Sequence, residues 1–191
     1  MTAGLAPTPL PALDPDTAQR TFRAVLDALA RPGRPAALHR FDELPAALLP
    51  ALALADLDTP VCVLGAPGWA EALATATSAP VAPLGEARLV TALRPLAPGE
   101  LAGLRAGSAS APEDAALVAL AVPALEGGAA LRLSGPGVPG TRTVAPRGCP
   151  PDLVAGRATA AFPAGPDLLL VAPDGAVVGI PRSTRIATEE D

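Results

Sequence analysis

Leu168-Leu169-Leu170-Val171-Ala172-Pro173-Asp174-Gly175-Ala176-Val177-Val178-Gly179-Ile180 is the stretch on which the reading of this fold turns. Two apolar runs flank Pro173-Asp174-Gly175. Proline presets φ, aspartate bonds its own backbone two residues on, and glycine tolerates positive φ, so the triplet has the chemistry of a tight turn. Leu168–Val171 and Ala176–Ile180 are therefore predicted to be two strands of an antiparallel hairpin.

Working outward, Asp16 and Gln19 offer a capping box, and Phe22, Val25, Leu26 and Leu29 follow at helical spacing until Pro32-Gly33 stops the run. The Leu26 and Leu29 face suits packing on a sheet, while Arg20, Arg23 and Asp27 suit solvent. Ala36 to Phe41 reads as a short strand, and Leu44 to Ala55 as a helix that Pro50 interrupts or kinks. Further strands are expected at Thr59–Leu64, Ala87–Leu93, Leu117–Val122 and Ala130–Leu133, the last two joined through Glu126-Gly127-Gly128 as a hairpin loop. Helices are expected at Trp69–Thr77, Gly99–Leu104 and Pro151–Ala160.

Strands and helices interleave early and antiparallel pairs come late, which predicts one α/β domain with a mixed sheet flanked by helices. The expected boundaries are a flexible Pro/Ala-rich leader over 1–15, a single domain over 16–186 and an acidic tail over 187–191.

A chain of 191 residues is long enough to bury roughly 70% of its unfolded surface. Its aromatics are Trp69, Phe22, Phe41 and Phe162, so the core must be built from Leu, Val and Ala. All 14 basic residues are arginine. Without lysine there is no Schiff-base nucleophile, no pyridoxal-phosphate aldimine and no P-loop amine. The net charge of −5, with scattered arginines and no basic stripe, argues against nucleic acid as a partner. No uninterrupted apolar window approaches the roughly 20 residues of a membrane span, and Met1–Pro7 lacks the features of a signal peptide, so a cytoplasmic location with no membrane partner is expected. Cys62 and Cys149, far apart and outside any CxxC pair, fit a reducing compartment.

Arg182-Ser183-Thr184 follows a strand, and the carboxyl ends of strands in open sheets collect ligands. A guanidinium fork and two hydroxyls suit a phosphate or phosphonate. Pairing of Arg182 with a carboxylate such as Asp167, with Ser183 capping the chain's exit, accounts for the same residues. Ser134-Gly135-Pro136-Gly137 leaves another strand, as either a plain turn or a place where backbone amides approach an oxyanion. Ser134, Gly135 and Gly137 thus join Arg182, Ser183 and Thr184 as the candidate anion site. His39 reads as a core or edge histidine, and Asp56 and Asp58 as a helix stop and turn. One histidine and two separated cysteines are too few soft ligands for a structural zinc site, so no metal is expected. No cofactor or catalytic residue is assigned either. Trp69 is the candidate interface anchor, tryptophan being the side chain interfaces favour.

Ile180-Pro181-Arg182-Ser183-Thr184 after the hairpin that begins at Phe162-Pro163-Ala164-Gly165-Pro166-Asp167 makes a sharp signature. With it go Leu131-Arg132-Leu133-Ser134-Gly135-Pro136-Gly137, Gly107 to Pro112, Leu54-Ala55-Asp56-Leu57-Asp58-Thr59-Pro60-Val61 and Phe22-Arg23-Ala24-Val25-Leu26, in order from about Asp16 to about Ile186. On these the chain resembles the PhnH family, one of the components of the bacterial carbon-phosphorus lyase system. The resemblance implies a fold similar to the large domain of pyridoxal-phosphate-dependent transferases without the cofactor, which agrees with the missing lysine. It further implies an accessory subunit of a core complex with subunits G, I and J, not catalytic alone, in alkylphosphonate catabolism. That complex forms ribose 1-alkylphosphonate 5-triphosphate; a homodimer is implied for the isolated protein. The alternative is a ligand-binding or catalytic subunit holding a phosphonate or phosphorylated intermediate near Arg182. Two distant cysteines cannot serve as the radical subunit's cluster ligands, and no Walker motif makes the chain an ATPase subunit.

Overall fold

The computed structural model of the chain describes Leu10 and residues 12–188. In chain order the elements are α1 (Pro15–Ala30), β1 (Ala36–Ala37), α2 (Leu49–Leu54), β2 (Val61–Leu64), α3 (Trp69–Thr77), β3 (Leu89–Ala92), β4 (Leu117–Ala121), β5 (Leu131–Ser134), β6 (Thr141–Val144), α4 (Leu153–Arg157), β7 (Asp167–Val171), β8 (Ala176–Ile180) and β9 (Arg185–Thr188). The expected hairpin forms: β7 and β8 pair antiparallel with Leu168 opposite Ile180, and Asp174 Oδ1 accepts from the Ala176 amide at 3.0 Å inside the turn.

A six-stranded sheet runs β1-β8-β7-β4-β3-β2. Strands β2, β3, β4 and β7 are mutually parallel, and β8, next to β7, runs against them. β1 pairs antiparallel with β8 at the edge. A second sheet, β6-β5-β9, is antiparallel throughout. The chain is thus a single α/β domain with a mixed main sheet. One face of that sheet is covered by α1, α2 and α3, through Val25, Ala28, Leu49 and Leu73. The other is covered by the small sheet, α4 and the segment after β3, through Leu133, Leu153 and Leu101 packed on Val118, Leu168 and Ile180.

Several expectations change. The cap of α1 is Asp14, accepting from the Thr17 amide at 3.0 Å with Pro15 in the first turn, rather than Asp16. Its buried face is Thr17, Thr21, Ala24, Val25 and Ala28, leaving Phe22 at 48% and Leu26 at 54% exposed. The cause is backbone proximity. Gly179 of β8 lies so close that a Cβ there would collide with the carbonyl of Ala28, so the helix rests on its small residues.

β4 and β5 do not form a hairpin. β4 sits in the main sheet and β5 in the small one, and the Gly127-Gly128 stretch bends the chain across to meet Ala145, whose carbonyl accepts from the Gly128 amide at 2.7 Å. Gly99–Leu104 makes turns instead of a helix, α4 is shorter than 151–160, and β1 keeps two residues of its expected run. Residues 1–9 and 11 of the expected leader, and Glu189, Glu190 and Asp191 of the expected tail, lie outside the described residues. Within the leader's span Leu10 is buried beside Trp69 and Leu73, and Leu13 packs against the same core.

Candidate functional site

The residues expected to gather an anion do meet, Gly137 excepted, at one end of the molecule. Because β8 is antiparallel to β7, its carboxyl end lies beside the amino ends of the parallel strands, the opposite end from the one where open sheets collect ligands. Arg182 leaves β8 there and turns its guanidinium onto Asp167 at the start of β7. Nη2 lies 2.5 Å from Oδ2, Nε donates to both carboxylate oxygens at 3.2 Å, and the Arg182 amide donates to Oδ1 at 2.7 Å. Nη1 donates to the carbonyl of Pro112. Both side chains are 18% exposed, so this is a largely desolvated, multiply bonded pair.

Ser134-Gly135 comes against Ser183-Thr184 through the pairing of β5 with β9, Ser134 opposite Arg185. A Cβ on Gly135 would sit 2.9 Å from the Ser183 carbonyl oxygen, which is the close approach its positive φ of 123° permits. Gly137 lies elsewhere, tight against the Ala30 carbonyl at the end of α1. The Thr184 hydroxyl is buried, 5% exposed as a residue, with no hydrogen-bond partner among the described residues.

Arg157 of α4 completes the cluster and went unsingled in the sequence. Its guanidinium donates to the carbonyls of Pro166 at 3.2 Å, Ile180 at 3.0 Å and Pro181 at 2.7 Å, tying α4 to both ends of the hairpin. Burial, with a smaller push from Arg182 and against the pull of Asp167, lowers its pKa. It still carries its charge at neutral pH. The one signal available was its place in the last turn of an expected helix, where a cation meets free carbonyls.

The carboxyl ends of the parallel strands hold a different feature, a cleft of about 620 Å³. Its floor is Leu93 after β3, Ala121 and Val122 at the end of β4, and Val171 and Ala172 at the end of β7. Trp69 and Pro45 contribute to its walls, and Arg40, Phe41, Asp42 and Glu43 form its rim. Trp69, the expected interface anchor, is 1% exposed and heads α3 in the core, so it can reach a partner only through the surface it lends to this cleft. Arg94, next to Leu93, is turned onto Glu100 in a two-bond pair of 2.8 and 2.6 Å. That pair and the Ala97 amide hold the Glu100 carboxyl down at about 2.

Burial raises both thiols, Cys149 to about 11, and neither has the electropositive setting of a reactive cysteine. His39 is exposed, its ring 4.8 Å from Phe41 in an edge-to-face contact. Asp56 Oδ1 accepts from the Asp58 amide and the Thr59 hydroxyl, which makes that acidic pair a turn. Among the described residues no helix is long and apolar enough to cross a membrane.

A family model for the bacterial phosphonate metabolism protein PhnH matches residues 12–187. The chain belongs to the PhnH family. It is also 34% identical over 187 residues, 90% of this chain and 91% of the relative, to the alpha-D-ribose 1-methylphosphonate 5-triphosphate synthase subunit PhnH of Rhizobium meliloti (strain 1021). Membership in the PhnH family places the chain in phosphonate metabolism. The PhnH match spans both the Arg182–Asp167 cluster at one end of the sheet and the cleft at the other.

Proposed function

We propose that the chain is an accessory subunit of the carbon-phosphorus lyase core complex, working with subunits G, I and J in the formation of ribose 1-alkylphosphonate 5-triphosphate and not catalytic alone. One observation carries this reading above the others: the guanidinium best suited to grip a phosphonate is already bound by Asp167 and the Pro112 carbonyl. The relative's description as one subunit of a synthase supports it, as does the lack of any lysine nucleophile. A likeness to the large domain of pyridoxal-phosphate-dependent transferases belongs to the same proposal, supported by the block of four parallel strands and, again, the missing lysine. So do a cytoplasmic location and self-pairing of the isolated chain, the latter supported by the exposed Phe22 and Leu26 four residues apart on α1. Co-expression with tagged G, I and J tests the core of the reading. Stoichiometric co-purification, with no turnover of phosphonate or nucleotide by the isolated chain, is expected. Turnover without partners, or a chain left behind in the wash, overturns it. A Leu26→Lys change that leaves a dimer intact on light scattering removes the α1 face from the self-pairing proposal.

The second reading, a phosphorylated intermediate held by Arg182, Ser183 and Thr184 with Ser134 and Gly135, and without Gly137, is favoured by the unpartnered Thr184 hydroxyl. A ligand at about 100 times its dissociation constant stabilises by roughly 2.7 kcal/mol. Melting with a phosphonate or a ribosyl triphosphate should then shift the wild type and spare Arg182→Ala. An absent shift, or equal shifts, rejects it.

A further inference from the structure

We propose that the cleft at the carboxyl ends of β3, β4 and β7 is a socket for a segment of a partner protein that presents an aliphatic side chain beside an arginine or lysine. The hydrogen-bonding character of the floor comes first. The Leu93 amide is spent on the Leu64 carbonyl, the Val122 amide on Val171 and the Ala172 amide on Ala176. Each of the three strand ends then runs into a proline within three residues, Pro95, Pro123 and Pro173, none of which has an N–H to offer. The floor is therefore apolar and nearly without donors.

Charge at the rim points the same way. Asp42 and Glu43 are exposed carboxylates with no hydrogen bond or ion pair among the described residues, against one guanidinium, Arg40, whose stem runs past the β7–β8 turn at Gly175. Arg94, the other arginine close by, is held by Glu100. A polyanion such as a triphosphate needs converging donors and meets instead spent amides, prolines and two negative charges. An aliphatic group with a cationic neighbour finds apolar walls, Pro45 and the exposed Phe41 to pack on, with the buried Trp69 behind them, and carboxylates to answer its charge. The volume of about 620 Å³ is room for one or two side chains rather than a whole helix.

The choice of a protein segment over a free amine rests on the reading of this chain as a subunit. The test is independent of that reading. Trp69 is the only tryptophan and lines the cleft, so its emission reports occupancy. The isolated chain is titrated at low salt with the blocked peptide acetyl-Leu-Arg-Leu-amide, with its glutamate counterpart, with agmatine and with inorganic triphosphate. The arginine peptide is expected to change Trp69 emission saturably and more tightly than the other three. An Asp42→Asn, Glu43→Gln double variant with unchanged melting should weaken it roughly fivefold, in line with two exposed charges. An Ala121→Leu variant, filling the floor, should abolish it.

Equal or tighter response to triphosphate or the glutamate peptide, an unweakened double variant, or no saturable response to the arginine peptide up to about 5 mM overturns the socket. Agmatine binding as tightly as the peptide overturns the protein source. A chain that co-purifies with its partners but ignores the peptide loses only the socket. One that responds to the peptide but fails to co-purify loses only the subunit reading.

Discussion

Asp167 is engaged by Arg182 through both carboxylate oxygens, while Arg157, at the same hairpin base, spends its guanidinium on backbone carbonyls. Two guanidinia beside one acid leave the cluster with a net positive charge balanced by carbonyl dipoles. Removing either member of the pair strands the other in a largely dry site, so Asp167→Asn and Arg182→Ala should each cost roughly 3 kcal/mol on urea unfolding. A cost under about 1 kcal/mol would mean that the pair is not structural and would move weight back to a ligand. Pairing of Arg182 with Asp167 was legible in the sequence as one of two alternatives, because an acid preceding one strand and a cation following the next of a hairpin must meet. What sequence could not supply was direction: only pairing order reveals that β8 is antiparallel and that Arg182 therefore sits at the end of the sheet away from the usual ligand crevice.

Charge also acts at the other end. Glu100, held at about 2 by Arg94 and the Ala97 amide, has a folded pKa below its unfolded value near 4.5. Its contribution is therefore complete above about pH 4.5 and fades as pH falls toward 2. Glu100→Gln should melt below the wild type at pH 7, and the gap should close across that window. A gap constant from about pH 7 to about pH 2.5 would show that the carboxylate's charge is not what stabilises the loop.

At the scale of elements, the contact of α1 with β8 shows why hydrophobic spacing misled. The large side chains Phe22 and Leu26 fall at perfect helical spacing, yet the helix turns Ala24 and Ala28 inward, because Gly179 lets the two backbones come into contact. Gly179→Ala should cost at least about 2 kcal/mol, and Ala28→Gly should not rescue it, since the obstructing atom is a backbone carbonyl. Rescue by that second change would mean that the side chain was the obstacle. The same logic of size explains what was and was not legible elsewhere. Apolar runs punctuated by Pro or Gly placed β2, β3, β4, β7 and α3 within two residues, since the strands among them are apolar but for Thr91 in β3 and Asp167 at the start of β7 and need little else. Strands β6 and β9, Thr141–Val144 and Arg185–Thr188, carry polar side chains over half-exposed positions and gain their pairing only from β5 between them. The cleft was written in the sequence as a proline after each of three parallel strands, but recognising it required knowing that those strands lie side by side.

For the whole molecule the question is whether the small sheet is an appendage or part of one cooperative unit. Leu131 and Leu133 of β5 belong to the same buried cluster as Val118 of β4, Leu168 and Leu170 of β7, and Ile180 of β8. Leu133 is completely buried there. Unfolding the small sheet alone would expose the face of the main sheet that it covers, at roughly 25 cal/mol for each Å² of apolar surface, so partial opening is disfavoured. Leu133→Ala should accordingly lower stability by about 2–5 kcal/mol while keeping a single calorimetric transition with its van't Hoff and calorimetric enthalpies in step. Two resolved transitions, with only the lower one shifted by the substitution, would divide the molecule into a stable six-stranded frame and a detachable three-stranded cover. The cooperative outcome has a consequence for function. A single rigid body fixes the Arg182 end and the cleft end of the sheet relative to each other, so a partner seated at one end is positioned with respect to the other without any moving part.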